Sequence, residues 1–134
     1  MEFAAEINRN VQGYEGPFDS ELRHTAEIFL LLNELTISNE ISIKMRSRLY
    51  IAMGYFIAPY DLYSEETFGA IGYVDDLILS LTVLNEIKNE LGIEPIYELW
   101  DGDLDELSSL LESGLKKIST AYPELREKVL KYLS

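Results

Sequence analysis

Apolar side chains recur along this chain at the spacing of an α-helix, and this periodicity restricts the fold more than any other feature of the sequence. Residues 74–91 show it most clearly, with Leu77, Ile78, Leu81 and Leu84 on one helical face. An amphipathic helix has a period of about 3.6 residues, whereas a half-buried strand alternates polar and apolar residues. No segment of useful length alternates in this way, so the sequence predicts an all-α fold.

Capping residues divide the periodic pattern into about five helices. The predicted signals are Asp19 or Ser20 at the start of the first helix, Ser38 or Ser42 at the second, Gly92 at the end of the third, Asp101 or Asp103 at the start of the fourth and Pro123 at the fifth. Residues 19–134 are therefore predicted to form a single domain, an irregular helical bundle. Residues 1–18 mix Asn, Gly and Pro with apolar residues and are predicted to form an irregular N-terminal arm.

The composition is that of a chain that can fold without covalent cross-links. Its 134 residues are enough to bury one hydrophobic core. The chain has no cysteine, which excludes disulfides, thiolate metal sites and a thiol nucleophile. Glu2 and Glu6 stand where a secretory signal would carry basic residues. We therefore expect a cytoplasmic protein.

The strongly acidic charge limits the classes of partner. The 24 acidic residues outnumber the 11 basic ones and give a net charge of -13. Such a field repels phosphate backbones and anionic membranes and attracts basic protein surfaces. The longest uncharged stretch, residues 49–60, is shorter than the ~20 apolar residues of a membrane helix. The sequence thus predicts no nucleic acid, no transmembrane segment and a basic protein partner.

One segment carries a recognisable motif, and between residues 55 and 77 it reads YFIAPYDLYSEETFGAIGYVDDL. Its distinctive positions are Tyr55, Pro59, Asp61, Leu62, Gly72, Tyr73, Asp75 and Asp76. Over residues 41–84 or so the chain resembles the family of uncharacterised helical domains known as DUF1232, also called YkvA-like. Ser64 and Glu65 stand where that family usually carries Pro-Asp. The resemblance implies a helical fold and no particular activity.

The motif gathers acidic residues at a predicted helix-loop-helix corner. Carboxylate oxygens are the ligands that Mg²⁺, Ca²⁺ and Mn²⁺ prefer. The candidates are Asp61, Glu65, Glu66, Asp75 and Asp76. One hypothesis is therefore a divalent-cation site, with Asp61, Asp75 and Asp76 as its ligands.

A structural interpretation of the same corner remains open beside the metal hypothesis. Aspartates in the first turn interact favourably with the positive end of a helix. Two buried tyrosines, Tyr55 and Tyr73, would find hydrogen-bond partners among these aspartates. Alternatively, Arg46 or Arg48 would pair with the aspartates in an internal ion-pair network.

Tyrosines are concentrated beside the acidic loop of the motif. Next to the predicted turn, Tyr60 and Tyr63 are expected to be exposed, and Glu65 and Glu66 follow them. Aromatic rings flanked by carboxylates can hold cationic groups, and tyrosine is common at interfaces. These four residues are a predicted interaction patch.

The single histidine, His24, follows Glu21 in the Glu-x-x-His spacing of di-iron bundles. Those sites need two such pairs and further glutamates, so an ordinary histidine beside a glutamate is the favoured interpretation. With one histidine and no cysteine, nucleophilic catalysis is not expected. The sequence therefore predicts a non-enzymatic interaction or adaptor module with an acidic, tyrosine-rich patch. The alternative is a divalent-cation-dependent enzyme that uses the acidic cluster at the corner.

Overall fold

The long helix α5, Val74–Leu91, forms the centre of the fold in the computed structural model, which describes residues 2–57 and 69–134. The other helices are α1 (Glu2–Val11), α2 (Asp19–Leu22), α3 (Thr25–Thr36), α4 (Ile43–Ile57), α6 (Glu94–Tyr97), α7 (Leu104–Ser109), α8 (Leu115–Ala121) and α9 (Pro123–Leu130). A π turn, Leu110–Gly114, makes α7 and α8 continuous, and 3-10 turns occupy Gly69–Tyr73 and Lys131–Leu133. The described ranges contain no strand, which confirms the all-α prediction.

The sequence pattern explains why α5 is central. Its apolar positions extend around most of the helix, and eleven of its 18 residues are buried. Helices α3, α4, α8 and α9 pack around it. Each fully buried leucine contributes roughly 1.5–3 kcal/mol of burial free energy. The predicted apolar face, which includes Leu77 and Leu81, lies in the core.

Several predicted helix boundaries are confirmed by their hydrogen bonds. Asp103 and Glu106 form a capping box, in which Asp103 Oδ1 accepts from the backbone N–H of Glu106 at 2.8 Å. Ser42 Oγ accepts from the backbone N–H of Met45 at 3.1 Å. Gly92 follows α5 with a φ of 86°, a conformation that side chains disfavour. These caps satisfy backbone groups that a helix end leaves without partners.

The N-terminal residues differ from the predicted irregular arm, because residues 2–11 form α1. Ala4, Ile7 and Val11 are buried at helical spacing against the rest of the core. The ring of Phe3 lies 4.9 Å from that of Phe29 in α3. The prediction gave weight to the low helix propensity of asparagine, but tertiary burial of one apolar face outweighs such local preferences.

The first predicted helix is also interrupted. The helix predicted to begin at Asp19 or Ser20 is two helices, because α2 and α3 are separated at His24. The hydroxyl of Thr25 donates to the carbonyl of Leu22 at 2.6 Å, a local bond that competes with the helical ladder. His24 lies at this break, and its Nε2 is 3.9 Å from Oε2 of Glu106 in α7.

Within the described ranges, no helix combines the length and apolar character that crossing a membrane requires.

Candidate functional site

The motif corner is formed where α4 meets the start of α5. The hydroxyl of Tyr55 donates a 2.7 Å hydrogen bond to Oδ2 of Asp75. Oδ1 of Asp75 accepts from the backbone N–H of Asp76 at 3.1 Å, and all three residues are buried. Burying a carboxylate is costly unless hydrogen bonds replace the lost water. The predicted pairing of a buried tyrosine with an aspartate is confirmed for Tyr55.

Neighbouring aromatic residues connect the corner to both ends of the chain. The hydroxyl of Tyr73 accepts a 2.8 Å hydrogen bond from Nδ2 of Asn10 in α1. The ring of Tyr55 meets that of Tyr132 edge-on, with centroids 5.2 Å apart. The motif therefore organises contacts well beyond its own two helices.

The predicted cation site is only partly covered by the described residues. Asp75 and Asp76 are buried in the first turn of α5. Asp61, Glu65 and Glu66 lie outside the described residues. Among residues 2–57 and 69–134, no three His, Asp or Glu side chains are grouped as metal ligands. Binding of Mg²⁺, Ca²⁺ or Mn²⁺ at this cluster stays a prediction.

The residues of the predicted interaction patch are not among those that the structure describes. Tyr60, Tyr63, Glu65 and Glu66 all lie outside the described residues. Their role as a contact for a basic partner therefore stays a prediction.

The predicted arginine network is wrong, because Arg46 and Arg48 bond to other groups. The guanidinium of Arg46 donates to three backbone carbonyls, that of Thr36 at the end of α3 and those of Ser38 and Ile41 in the connection to α4. The last carbonyls of a helix have no N–H donor within the helix, so they need partners of this kind. Arg46 thus holds the α3–α4 connection in place.

Arg48 forms a different bridge. It donates two hydrogen bonds to the carboxylate of Glu86 in α5, at 2.8 and 2.6 Å. A third hydrogen bond, of 2.8 Å, goes to the carbonyl of Leu133. A planar guanidinium fits this fork geometry, which makes such pairs stronger than single contacts. Arg48 therefore joins α4, α5 and the C-terminal turn.

A second candidate site is a pocket of about 430 Å³ between α2 and α7. We call it the acidic pocket, because four carboxylates line it: Glu21, Asp103, Asp105 and Glu106. His24 lines it as well, and Arg23 contributes one positive charge. The carboxylates come from segments about 80 residues apart in sequence, which the fold brings together.

Both ring nitrogens of His24 face carboxylates. Nδ1 lies 3.0 Å from Oε1 of Glu27, and Nε2 lies 3.9 Å from Oε2 of Glu106. The described contacts do not pair His24 with Glu21, whose Oε2 instead accepts from Nζ of Lys117. The glutamate beside His24 is therefore Glu27, where the sequence had suggested Glu21.

Glu21 has an unusual environment for a carboxylate. The residue is 8% exposed and lies against Gly114 of the π turn. Its Oε2 accepts from Nζ of Lys117 at 2.9 Å. Its Oε1 is buried and has no hydrogen-bond partner within the described part of the chain. Such an oxygen is costly to bury, so it retains capacity for one further donor.

Trp100 lies beside the same pocket. Its ring centroid is 5.9 Å from that of His24, and its buried Nε1 finds no acceptor among the described residues. A Cβ atom at Gly102 would come within 2.6 Å of this nitrogen and of Oε1 of Glu106. A side chain at position 102 would therefore displace Trp100 or Glu106.

Sequence reasoning missed the acidic pocket as a site. The signals were present separately, as the single histidine, the acidic run DGDLDE at 101–106 and the single tryptophan. Their convergence depends on the break at His24 and on the way α7 packs, neither of which periodicity reveals.

Known proteins resemble this chain in two ways. The model of a family described as "Protein of unknown function (DUF1232)" matches residues 46–81, a range that includes Tyr55 and Asp75 and excludes the acidic pocket. A protein of Methanothermobacter thermautotrophicus described as "Uncharacterized protein ORF9" is 30% identical over 127 residues, which are 95% of this chain and 86% of that protein. No solved structure matches the chain.

Proposed function

This chain belongs to the DUF1232 family, and we propose that it is a non-enzymatic interaction module whose acidic pocket binds a lysine or arginine side chain of a basic protein partner. The observation that carries the proposal is Oε1 of Glu21, a buried acceptor with no donor among the described residues, in the wall of an acidic pocket. A cationic side chain would supply the missing donor and a compensating charge.

The chain's own Lys117 supports this choice of ligand. Its ammonium already binds Oε2 of Glu21, so the site is chemically suited to an alkylammonium group. Asp103, Asp105 and Glu106 surround the entrance with further negative charge. The net charge of -13 would also raise the rate of encounter with basic partners.

The surroundings of His24 support a binding role over a catalytic one. A histidine that acts as a general base is normally held against a nucleophile by an orienting group. Here both ring nitrogens face carboxylate oxygens, those of Glu27 and Glu106. The predicted patch of Tyr60, Tyr63, Glu65 and Glu66 would provide a second contact for the same basic partner.

The single tryptophan permits a direct test. Because Trp100 contacts His24 at the pocket, its fluorescence should change when an oligolysine peptide is titrated into the wild-type protein. The pocket variant Asp105→Asn with Glu106→Gln removes two charges yet keeps the capping acceptor of residue 106. The matched control, Glu2→Gln with Glu6→Gln on α1, removes the same charge from residues that do not line the pocket.

We expect the pocket variant to bind the peptide about tenfold more weakly, and the control to change affinity by less than about twofold. The wild-type affinity should fall with salt. Equal losses in both variants would mean that binding depends on net charge alone, and would contradict the proposed pocket. A Trp100 signal that does not respond to the peptide would contradict it as well.

A further inference from the structure

The imidazole of His24 is held between two carboxylates at the wall of the acidic pocket. Its side chain is 14% exposed and lies against the ring of Trp100. On one side, Nδ1 is 3.0 Å from Oε1 of Glu27, which is a hydrogen-bond distance. On the other side, Nε2 is 3.9 Å from Oε2 of Glu106, which is too far for a hydrogen bond. The two ring nitrogens therefore have different environments.

The contact with Glu27 determines which ring nitrogen carries the hydrogen. An ionised carboxylate can only accept hydrogen bonds, so the 3.0 Å contact requires a hydrogen on Nδ1 of His24. A neutral imidazole has a hydrogen on one nitrogen and a lone pair on the other. In neutral His24, Nε2 is therefore an acceptor on the side of Glu106.

Nε2 of neutral His24 and Oε2 of Glu106 are thus two acceptors that face each other. The carboxylate of Glu106 is held in place, because its Oε1 accepts from the backbone N–H of Asp103 at 3.2 Å. Acceptors 3.9 Å apart are close enough for one nitrogen to lie ~2.9 Å from both. A lysine ammonium has several N–H donors on one atom, so it can donate to both acceptors.

A proton competes with such a ligand for Nε2. When His24 is protonated, both ring nitrogens carry a hydrogen, and the lone pair of Nε2 is no longer available. The imidazolium also lies within ion-pair distance of Glu106, one of the carboxylates that attract the ligand. Its positive charge repels an incoming ammonium. Protonation of His24 therefore opposes binding of a cationic side chain.

The other charged groups around His24 come from each element that forms the pocket. They are Glu27 on α3, Glu21 and Arg23 on α2, and Asp103, Asp105 and Glu106 at the start of α7. In model peptides, carboxyl groups titrate near pH 4 and basic side chains above about pH 10, whereas histidine changes charge between about pH 5 and 8. We therefore expect His24 to be the group whose charge changes in the neutral range.

We propose that neutral His24 is a pH-sensitive acceptor for the lysine ammonium in the acidic pocket, so that the ligand binds near pH 8 and is released as His24 gains a proton. This inference rests on the proposed function, because it requires a pocket that binds a cationic side chain. It adds the competition between ligand and proton for Nε2. Binding is strongest where the imidazole is neutral and weakens as the pH falls.

The test is calorimetric titration of an oligolysine peptide into the full chain at pH 8 and at about pH 5.5. The affinity should be about tenfold weaker at the lower pH, where the imidazolium replaces an acceptor with a like charge. At about pH 6, binding should release up to about one proton per peptide, measured from the dependence of the heat on the buffer's ionisation enthalpy. Calorimetry is preferred to Trp100 fluorescence, because protonation of the adjacent imidazole can itself change the emission.

The matched variant is His24→Gln, which removes the titrating group and keeps every carboxylate of the pocket. His24 is the single histidine of the chain, so no other imidazole contributes. The affinity of this variant should differ by less than about twofold between the two pH values, and the proton release should disappear. Circular dichroism at both pH values would verify that the variant is folded.

A methylated peptide tests the requirement for N–H donors. Trimethylation of lysine keeps the positive charge and removes all hydrogen-bond donors of the ammonium. At pH 8, the trimethyl-lysine peptide should bind the wild type about tenfold more weakly than the unmodified peptide. Attraction by net charge alone would give the two peptides similar affinities.

Three outcomes would overturn the inference and leave the pocket's affinity for cations intact. The first is equal affinity for oligolysine at pH 8 and at about pH 5.5. The second is a pH dependence that His24→Gln retains, which would assign it to other groups. The third is a trimethyl-lysine peptide that binds as tightly as the unmodified one. Absence of oligolysine binding at every pH would instead overturn the proposed function, and this inference with it.

Discussion

Tyr55 and Asp75 join α4 to α5 through a buried hydrogen bond of 2.7 Å between the phenol and Oδ2. Both residues belong to the family motif, and they stand on either side of residues 58–68 in sequence. Asp75 is fully buried, so its carboxylate depends on protein donors in place of water. This bond gives the motif a structural role at the centre of the fold.

The first prediction concerns this bond. Tyr55→Phe removes the donor and leaves Asp75 Oδ2 less well solvated, which should lower the free energy of unfolding by ~1–3 kcal/mol. Asp75→Asn should have a similar effect, because an amide is a weaker acceptor than a carboxylate. Urea denaturation measures both, and the double variant should lose less than the sum of the two single losses, since the residues interact.

Tyr50→Phe provides the control for the first prediction, because Tyr50 is an exposed tyrosine on the same helix. It should change stability by less than ~0.5 kcal/mol. Additive losses at Tyr55 and Asp75 would show that the bond does not couple them.

The second prediction concerns Arg48, which bridges Glu86 and the carbonyl of Leu133. Arg48→Met keeps the apolar stem of the side chain and removes the guanidinium. We expect the free energy of unfolding to fall by ~1–2 kcal/mol. This is less than the loss expected for a fully buried ion pair, because Glu86 is partly exposed. Amide hydrogen exchange at residues 131–133 should accelerate, since their anchor is lost. Lys44→Met on the same helix is the control, and an equal effect there would contradict a specific role for Arg48.

Periodicity was sufficient to predict the helical fold and the buried face of α5, because an apolar repeat of 3.6 residues is characteristic of an amphipathic helix. It did not reveal α1, where burial of Ile7 and Val11 outweighs unfavourable local residues. It also missed the break at His24, where the hydroxyl of Thr25 donates to the carbonyl of Leu22. The acidic pocket could not be predicted either, because its lining residues lie at 20–24 and 103–110 and only the tertiary fold brings them together.

The third prediction addresses the cation hypothesis. A native-state site raises the melting temperature in excess ligand, because binding stabilises the folded state by ~2.7 kcal/mol at a hundredfold excess over Kd. Asp75 is buried and already accepts from Tyr55, so we expect no rise with Mg²⁺, Ca²⁺ or Mn²⁺. A rise that Asp75→Asn abolishes would contradict this expectation and would favour the cation-dependent enzyme.

The fourth prediction links the π turn to the acidic pocket. Nδ2 of Asn85 in α5 donates to the carbonyl of Leu111 at 2.7 Å and to that of Leu81 at 3.1 Å. A π turn shifts the helical hydrogen-bond pattern, so Asn85 supports a carbonyl within the irregular turn. Leu110, in the same turn, lines the acidic pocket, and Gly114 lies against Glu21.

Asn85→Leu has nearly the same size and removes the donor, so it should destabilise the protein by ~1–3 kcal/mol. It should also weaken binding of the oligolysine peptide, because the wall that positions Glu21 loses its support. The control is Asn89→Leu, one turn later on the exposed side of α5, which should change neither stability nor binding appreciably. If Asn85→Leu lowers stability but leaves the peptide affinity and the Trp100 signal unchanged, the π turn supports the fold alone and does not position the pocket.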